Sequence, residues 1–216
     1  MGTTSGGPVG AAGGAGAAAG LAGLVGSAVP AQEVRPGLRA LLALMPETTA
    51  FVMGRCSDLP VWNPLFATLF IDVDTVPIER RNKAWLVFRD ERLRARYVNC
   101  ETKAQDLAAY LRLDGGRHPE DPAFAELITE LSESRPDFRR RLWATHEVRD
   151  KTHGGYHLRH PAIGELTLSY ESFRTVDDPD QTLVNYTAEA DSPSRSRPGP
   201  PIDTSVETPN ARAFGN

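Results

Sequence analysis

A chain of 216 residues, with 24 Lys+Arg against 28 Asp+Glu, has room for one domain of ordinary size and a sizeable core. A formal charge of −4 and an isoelectric point near 5.8 argue against a protein that works mainly by holding nucleic acid. Two cysteines, Cys56 and Cys100, exclude a disulfide framework, and neither belongs to a CxxC pair.

Composition is uneven along the chain. No charged residue occurs from Met1 to Gln32, and Gly and Ala fill 18 of the first 30 positions. The stretch Val9–Val29 approaches bilayer-spanning length, but Gly opposes helix formation and Ala contributes little transfer free energy. A secretory signal would carry Lys or Arg near Met1 and a Leu-rich centre, and both are missing. Residues 1–34 are therefore predicted to be a disordered leader, with no membrane partner. Residues 191–216, rich in Ser, Pro and Arg and without apolar period, are predicted to be a disordered tail. The ordered domain is residues 35–190.

Within it, Leu38, Leu41, Leu42 and Met45 recur at helical spacing until Pro46. Ala50–Arg55 reads as a strand, Cys56-Ser57-Asp58 as a turn, and Leu59–Trp62 as a returning edge strand weakened by Pro60. Asn63 is a good N-cap with Pro64 at the first helical position, and Leu65, Phe66, Leu69 and Phe70 share a face. A helical stretch carries Ile78, Trp85, Leu86 and Phe88. From Asp90 the series Leu93, Tyr97, Cys100, Ala104, Leu107, Leu111 predicts one helix of about five turns ending at Gly115-Gly116. Asp121-Pro122 opens another helix, with Phe124, Leu127, Ile128 and Leu131 as its stripe. Pro136 opens a last one, with Phe138, Leu142 and Trp143 inward. After His146 the apolar period changes from 3.6 to 2. Strands follow over Tyr156–Arg159, Leu166–Glu171 and Thr182–Glu189, close enough in sequence to form a meander. The fold class is α+β with an antiparallel sheet.

Chemistry-bearing motifs are scarce. There is no GxSxG, GxxxxGK[ST], HExxH or GxGxxG placed between strand and helix. His153 and His157 share a strand face only if the strand at Tyr156 extends back that far, while His160 has the opposite parity; together with His146 they read as solvent-facing histidines beside a turn rather than a metal site. Cys56 has no base that sequence alone fixes beside it, and Cys100 lies on an apolar stripe. Arg139, Arg140 and Arg141 point about 100° apart on a helix, a solvated face rather than a DNA-contacting stripe. No catalytic residue, metal or cofactor is assigned, and the chain is not expected to be an enzyme. Large apolar side chains are abundant: Phe51, Trp62, Phe66, Phe70, Trp85, Phe88, Tyr97, Phe124 and Trp143. A sheet covered on one face by helices can hold an apolar ligand between its layers, although a filled core has the same pattern.

Several short motifs follow one another along the ordered chain, beginning with Arg35-Pro36-Gly37-Leu38, Thr49–Arg55 and Trp62-Asn63-Pro64. They continue through Arg81-Asn82, Leu86-Val87-Phe88, Tyr97-Val98, Gly116-Arg117-His118-Pro119, Asp121-Pro122, Phe138-Arg139-Arg140 and Leu142-Trp143. His160-Pro161, Gly164–Leu168, Asp178–Gln181 and Tyr186-Thr187-Ala188 complete the series, which spans about Arg35 to Asp191. In this order the motifs resemble the ligand-binding domain of MmyB-like transcription regulators.

This resemblance implies a PAS-like fold, a five-stranded antiparallel sheet covered on one face by helices. It also implies a cytoplasmic bacterial sensor of a fatty-acid-like molecule, of the kind joined to XRE-type helix-turn-helix regulators. Helices from Asn63 to Phe70 and from Pro77 to Leu113 would wall the cavity. Phe66, Phe70, Trp85, Phe88, Tyr97 and Trp143 would contact an acyl chain, and Arg81 and Asn82 would meet a polar head, since Arg grips carboxylates bidentately. Two departures stand out. Asn99-Cys100 replaces an Asp-Trp usual in the family, and Lys83-Ala84-Trp85 breaks a Leu-rich run, which would move an indole into the vacated volume. The Gly/Ala leader occupies the place of the DNA-binding half, so the sensor is expected to lack its own DNA-binding domain and to make no direct nucleic-acid contact. Alternatives are a ligand-free module that forms homodimers, or heterodimers with related regulators, and the remnant of a truncated regulator gene.

Overall fold

The computed structural model describes residues 32–144 and 152–188, without the side chains of residues 141–144. Most of the expected leader and tail, His146 and the side chains of Arg141 and Trp143 lie outside the described residues.

Five strands form one antiparallel sheet: β1 (Thr49–Met53), β2 (Val61–Trp62), β3 (His153–His160), β4 (Gly164–Arg174) and β5 (Thr182–Ala188), in the spatial order β2-β1-β5-β4-β3. The last three strands are the expected meander, and β5 delivers the chain to the central position beside β1. Seven α-helices are described: α1 (Pro36–Ala43), α2 (Pro64–Leu69), α3 (Lys83–Arg89), α4 (Glu91–Arg94), α5 (Cys100–Arg117), α6 (Pro122–Ser134) and α7 (Pro136–Ala144). The observed architecture is the expected α+β class.

The main core lies between one face of the sheet and the helices α2–α7. The inward residues Phe51, Tyr156, Leu158, Leu166, Leu168, Tyr170, Val184 and Tyr186 alternate with outward ones, as a strand period of two requires. A smaller cluster lies on the opposite face, where Leu42 of α1 and Val34 pack on Ala50, Val52 and Leu183. The two central strands β1 and β5 are thus covered on both sides, which is why β1 is apolar at nearly every position.

The predicted helix from Asp90 to Gly116 is two helices. Asp90 accepts from the Arg92 and Leu93 amides to cap α4, and Asn99 accepts from the Thr102 amide to cap α5. Between them the chain leaves helical geometry and pairs with β3: Val98 N–H donates to His157 O at 3.0 Å, and Arg159 N–H donates to Arg96 O at 2.7 Å. Tyr97 is carried into the core by this bridge, not by a helix face. At its other end α5 runs past Gly115 to Arg117. A Cβ on Gly115 would lie 2.4 Å from the Phe124 ring, so this glycine permits the α5–α6 approach rather than ending the helix.

Asn63 joins the sheet to the helical layer. Buried to 4% exposure, its Oδ1 accepts from Ala50 N–H at 3.1 Å and Phe66 N–H at 3.0 Å, and its Nδ2 donates to Met45 O at 2.9 Å and Thr48 O at 2.6 Å. Removing its side chain takes the partner from buried backbone groups of β1 and the α1–β1 connection and uncaps α2. Asn63→Ala is expected to cost about 3 kcal/mol in urea unfolding. Asn63→Asp is not expected to recover that loss, because its second oxygen would face two carbonyls where Nδ2 now donates. A wild-type-like midpoint for either variant would disprove this role.

Candidate functional site: an aromatic layer around a buried lysine

The inward side chains of the sheet meet the helices through a layer of rings. Phe51 packs on Phe66 (centroids 4.8 Å apart), Phe66 on Phe70 (5.1 Å), and Phe70 on both Tyr186 (5.0 Å) and Tyr97 (5.9 Å). Tyr97 then meets Tyr156 edge-on at 5.6 Å, and Tyr156 stacks on Tyr170 at 5.3 Å. Gly154 is the cross-strand partner of Tyr170, and a Cβ there would lie 2.8 Å from its ring. The absence of a side chain at that point allows Tyr170 to lie across β3.

Lys83 lies within this layer. It opens α3, where Leu86 and Val87 follow at the i+3 and i+4 positions of the same buried face. A position that helical period assigns to the core therefore carries an amine, exposed to 1%. Its Nζ is 5.0 Å from the ring centroids of Phe66 and Phe70, 5.2 Å from that of Phe51 and 6.0 Å from that of Tyr97. It has no hydrogen-bond partner.

Ring faces attract a cation by roughly 2 kcal/mol when desolvated, whereas stripping an ammonium of water costs several kcal/mol. Desolvation prevails. Burial, with the like charge of Lys103 as a lesser cause, pulls the Lys83 amine well below its ordinary range. Burial, with Tyr186 beside it, pushes the Tyr97 hydroxyl well up. Lys103 lies at the margin of the layer, its Nζ 4.6 Å from the Tyr156 ring centroid and 3.5 Å from the Tyr156 hydroxyl, which donates to Asp106 Oδ2 at 2.8 Å.

Of the residues expected to line a site, the structure brings Phe66, Phe70 and Tyr97 together in this layer. It places Phe88, Trp85, Arg81 and Asn82 among other partners, and the Trp143 side chain is outside the described residues. Phe88 is buried against Phe138 of α7 (4.7 Å). Trp85 points toward α6, donating from Nε1 to Glu130 at 2.8 Å with the Arg80 guanidinium 5.0 Å from its ring. The indole, expected to turn into the core, is half-buried beside α6, and it is Lys83 of this run that lies in the ring layer.

Arg81 is engaged with Val76 O (3.1 Å from Nε) and Asp74 (3.6 Å), and lies over the Trp62 ring. Asn82 caps α3 by accepting from Trp85 N–H at 3.0 Å. It also accepts from Ser57 Oγ at 3.2 Å and donates to Cys56 O at 2.8 Å and Asp58 Oδ1 at 2.7 Å. Its polar capacity is used by the fold. The signal for Lys83 was present in the sequence as a lysine on an apolar stripe, but it reads there as a break in the pattern.

A second polar cluster surrounds a 3-10 turn at Arg55–Ser57, where Cys56 and Ser57 take φ of 54° and 65°. The Cys56 amide donates to Asp114 Oδ2 at 2.6 Å, Arg55 pairs with Asp121 (3.6 Å) and Asp180 (3.7 Å), and His118 Nε2 is 2.9 Å from Asp180. A shallow cleft of about 330 Å³ opens there, lined by Arg55, His118, Pro119, Glu120, Asp121 and Pro122. Burial and three aspartates push the Cys56 thiol up to about 12, so it is a poor nucleophile. Among the described residues no group of three or more His, Cys, Asp or Glu is placed to hold a metal. His157 meets Thr167 at 3.0 Å on the exposed face of β3. His160 is not solvent-facing as expected; it is buried, with Nε2 3.2 Å from Thr68 O. Arg139 and Arg140 are exposed, as their spacing predicted.

These features define a small PAS-like α+β domain whose sheet and helices enclose an aromatic layer. The family model for the MmyB-like transcription regulator ligand binding domain matches residues 34–197, and the chain belongs to that family. No curated protein matches the chain. No helix among the described residues is long and apolar enough to cross a membrane.

Lys83→Met is expected to raise unfolding free energy at neutral pH by at least about 1 kcal/mol, because it keeps the stem and removes an unpartnered polar group. The unfolded chain holds the lysine proton up to about pH 10.4, whereas the folded chain gives it up at lower pH, so wild-type stability gains as pH rises through that interval. The advantage of the variant should therefore shrink between pH 7 and 10. High-pH losses from the tyrosines, whose hydroxyls are pushed up by burial, occur in both proteins and cancel in the difference. Urea unfolding across that range checks it; a constant difference would mean that folded Lys83 keeps its proton.

Proposed function

We propose that this chain is the sensing domain of a cytoplasmic transcription regulator and takes a small, fatty-acid-like apolar molecule between its sheet and helices. The observation that carries this reading is the ring layer at the sheet–helix boundary, in a chain whose family is a regulator ligand-binding domain. Rings offer a large apolar surface with few rotatable bonds, which suits a binding wall that must repack around a guest. Phe66, Phe70 and Tyr97 supply the contacts to the acyl body. Arg81 and Asn82 have their polar groups committed to the fold, so recognition depends more on that body than on a head held at their corner.

Native mass spectrometry of the mildly purified full chain is expected to show one apolar ligand per chain, or uptake of one added long-chain fatty acid. Phe66→Leu should weaken that binding by about tenfold, while Phe88→Leu, equally buried but outside the layer, should leave it within about twofold. A chain that is lipid-free and ignores added fatty acids would overturn the reading.

A further inference from the structure

Lys83 combines three properties that the packing of a core does not require of any residue. Its amine is fully enclosed, it has no hydrogen-bond partner, and four aromatic rings surround it at 5.0–6.0 Å. A core position of this size is ordinarily filled by Leu or Met at no polar cost, so the amine is retained against stability. A desolvated amine without a hydrogen-bond partner, whose charged form burial disfavours, has its lone pair free once it gives up its proton, the condition under which lysine becomes a nucleophile toward carbonyl carbon.

From this geometry we infer that Lys83 is a covalent ligand site, and that it takes an apolar aldehyde as a reversible imine within the aromatic cage. The Nζ lone pair attacks the carbonyl carbon, forming a C–N bond as the C=O π bond opens onto oxygen. A proton passes from nitrogen to that oxygen to give a carbinolamine. Loss of water then leaves a C=N bond, so that aldehyde and amine become imine and water with no oxidant or reductant consumed.

The cage selects the ligand class. Phe51, Phe66, Phe70 and Tyr97 present apolar faces to an alkyl or aryl body. A neutral imine adds no charge to this interior. Entry requires one wall to move aside, and α2, six residues followed by two single-turn 3-10 segments (Val73–Thr75 and Ile78–Arg80), is a short wall. The inference rests on reading the ring layer as ligand-accepting, and adds to that reading the anchor and the chemical class.

The chain has three lysines, Lys83, Lys103 and Lys151, which makes the test direct. The full chain is incubated near neutral pH with nonanal and cyanoborohydride, which reduces an imine to a stable amine, and the alkylated residue is located by peptide mass mapping. One alkyl group at Lys83, formed about tenfold or more faster than at either other lysine, is expected, since an ordinary lysine is almost wholly protonated at that pH. Lys83→Met and Lys83→Leu should both lose the adduct. An unlabelled Lys83, or labelling there no faster than at Lys103 and Lys151, would overturn the inference. A parallel arm with nonanol, which cannot form an imine, separates the two readings. Nonanol binding without labelling of Lys83 removes the covalent site alone; neither binding nor labelling removes the apolar-ligand reading with it.

Discussion

Ring packing between the sheet and its helical cover is the constraint on which the other elements depend. Each of the four longer strands contributes one ring to the layer: Phe51 from β1, Tyr186 from β5, Tyr170 from β4 and Tyr156 from β3. Tyr170 and Tyr186 are direct cross-strand partners, so strand register and ring contact fix each other. A one-residue slip of any of these strands would send its ring to the opposite face, which gives the sheet a strongly specified register. The helical side answers with Phe66 from α2, Phe70 at its C-cap and Tyr97 from the break between α4 and α5. Pairs of this kind are worth roughly 0.5–1.5 kcal/mol each beyond their buried area, and they depend on one another's placement.

The strands and the broad layering were legible because they rest on period two and on turn residues, both local signals. The alternation of Tyr156 and Leu158 with His157 and Arg159 places the inward set directly, and Asp121-Pro122 and Asn63-Pro64 mark helix starts that the structure reproduces. The helical block between Pro77 and Gly116 was less legible. Asn82, Asp90 and Asn99 interrupt it as caps; Asp90 marks a start in the sequence, but the apolar series continues across Asn82 and Asn99. Whether such a residue caps a helix or rides on its surface depends on tertiary partners: β3 in the case of Asn99, the Cys56 turn in the case of Asn82. The expected ligand contacts divide for the same reason. Helical spacing places Phe66 and Phe70 together, but which neighbour Trp85 or Phe88 meets is decided by α6 and α7, far along the chain.

Two buried polar residues show opposite solutions to one problem. Asn82 is enclosed and fully bonded, and through those bonds it fixes the turn at Cys56 and the start of α3 together. The next residue, Lys83, is enclosed and unbonded. Adjacent positions thus separate a polar group that specifies the fold from one that opposes it. The second kind persists in proteins where stability has been exchanged for function.

The bridge that delivers Tyr97 to the core also alters the rim of the sheet. β3 is an edge strand, and an unpaired edge invites another chain to extend it. Residues Arg96 and Val98 occupy the bonding positions beside Arg159 and His157, so half of that rim already has its neighbour. At the far rim β2 is only two residues long and follows a proline. Neither border offers a long template for strand addition. A chain extending this sheet would therefore find only short open stretches at either border of the described residues, and the broad open surfaces are the helix faces and the outward face of the sheet.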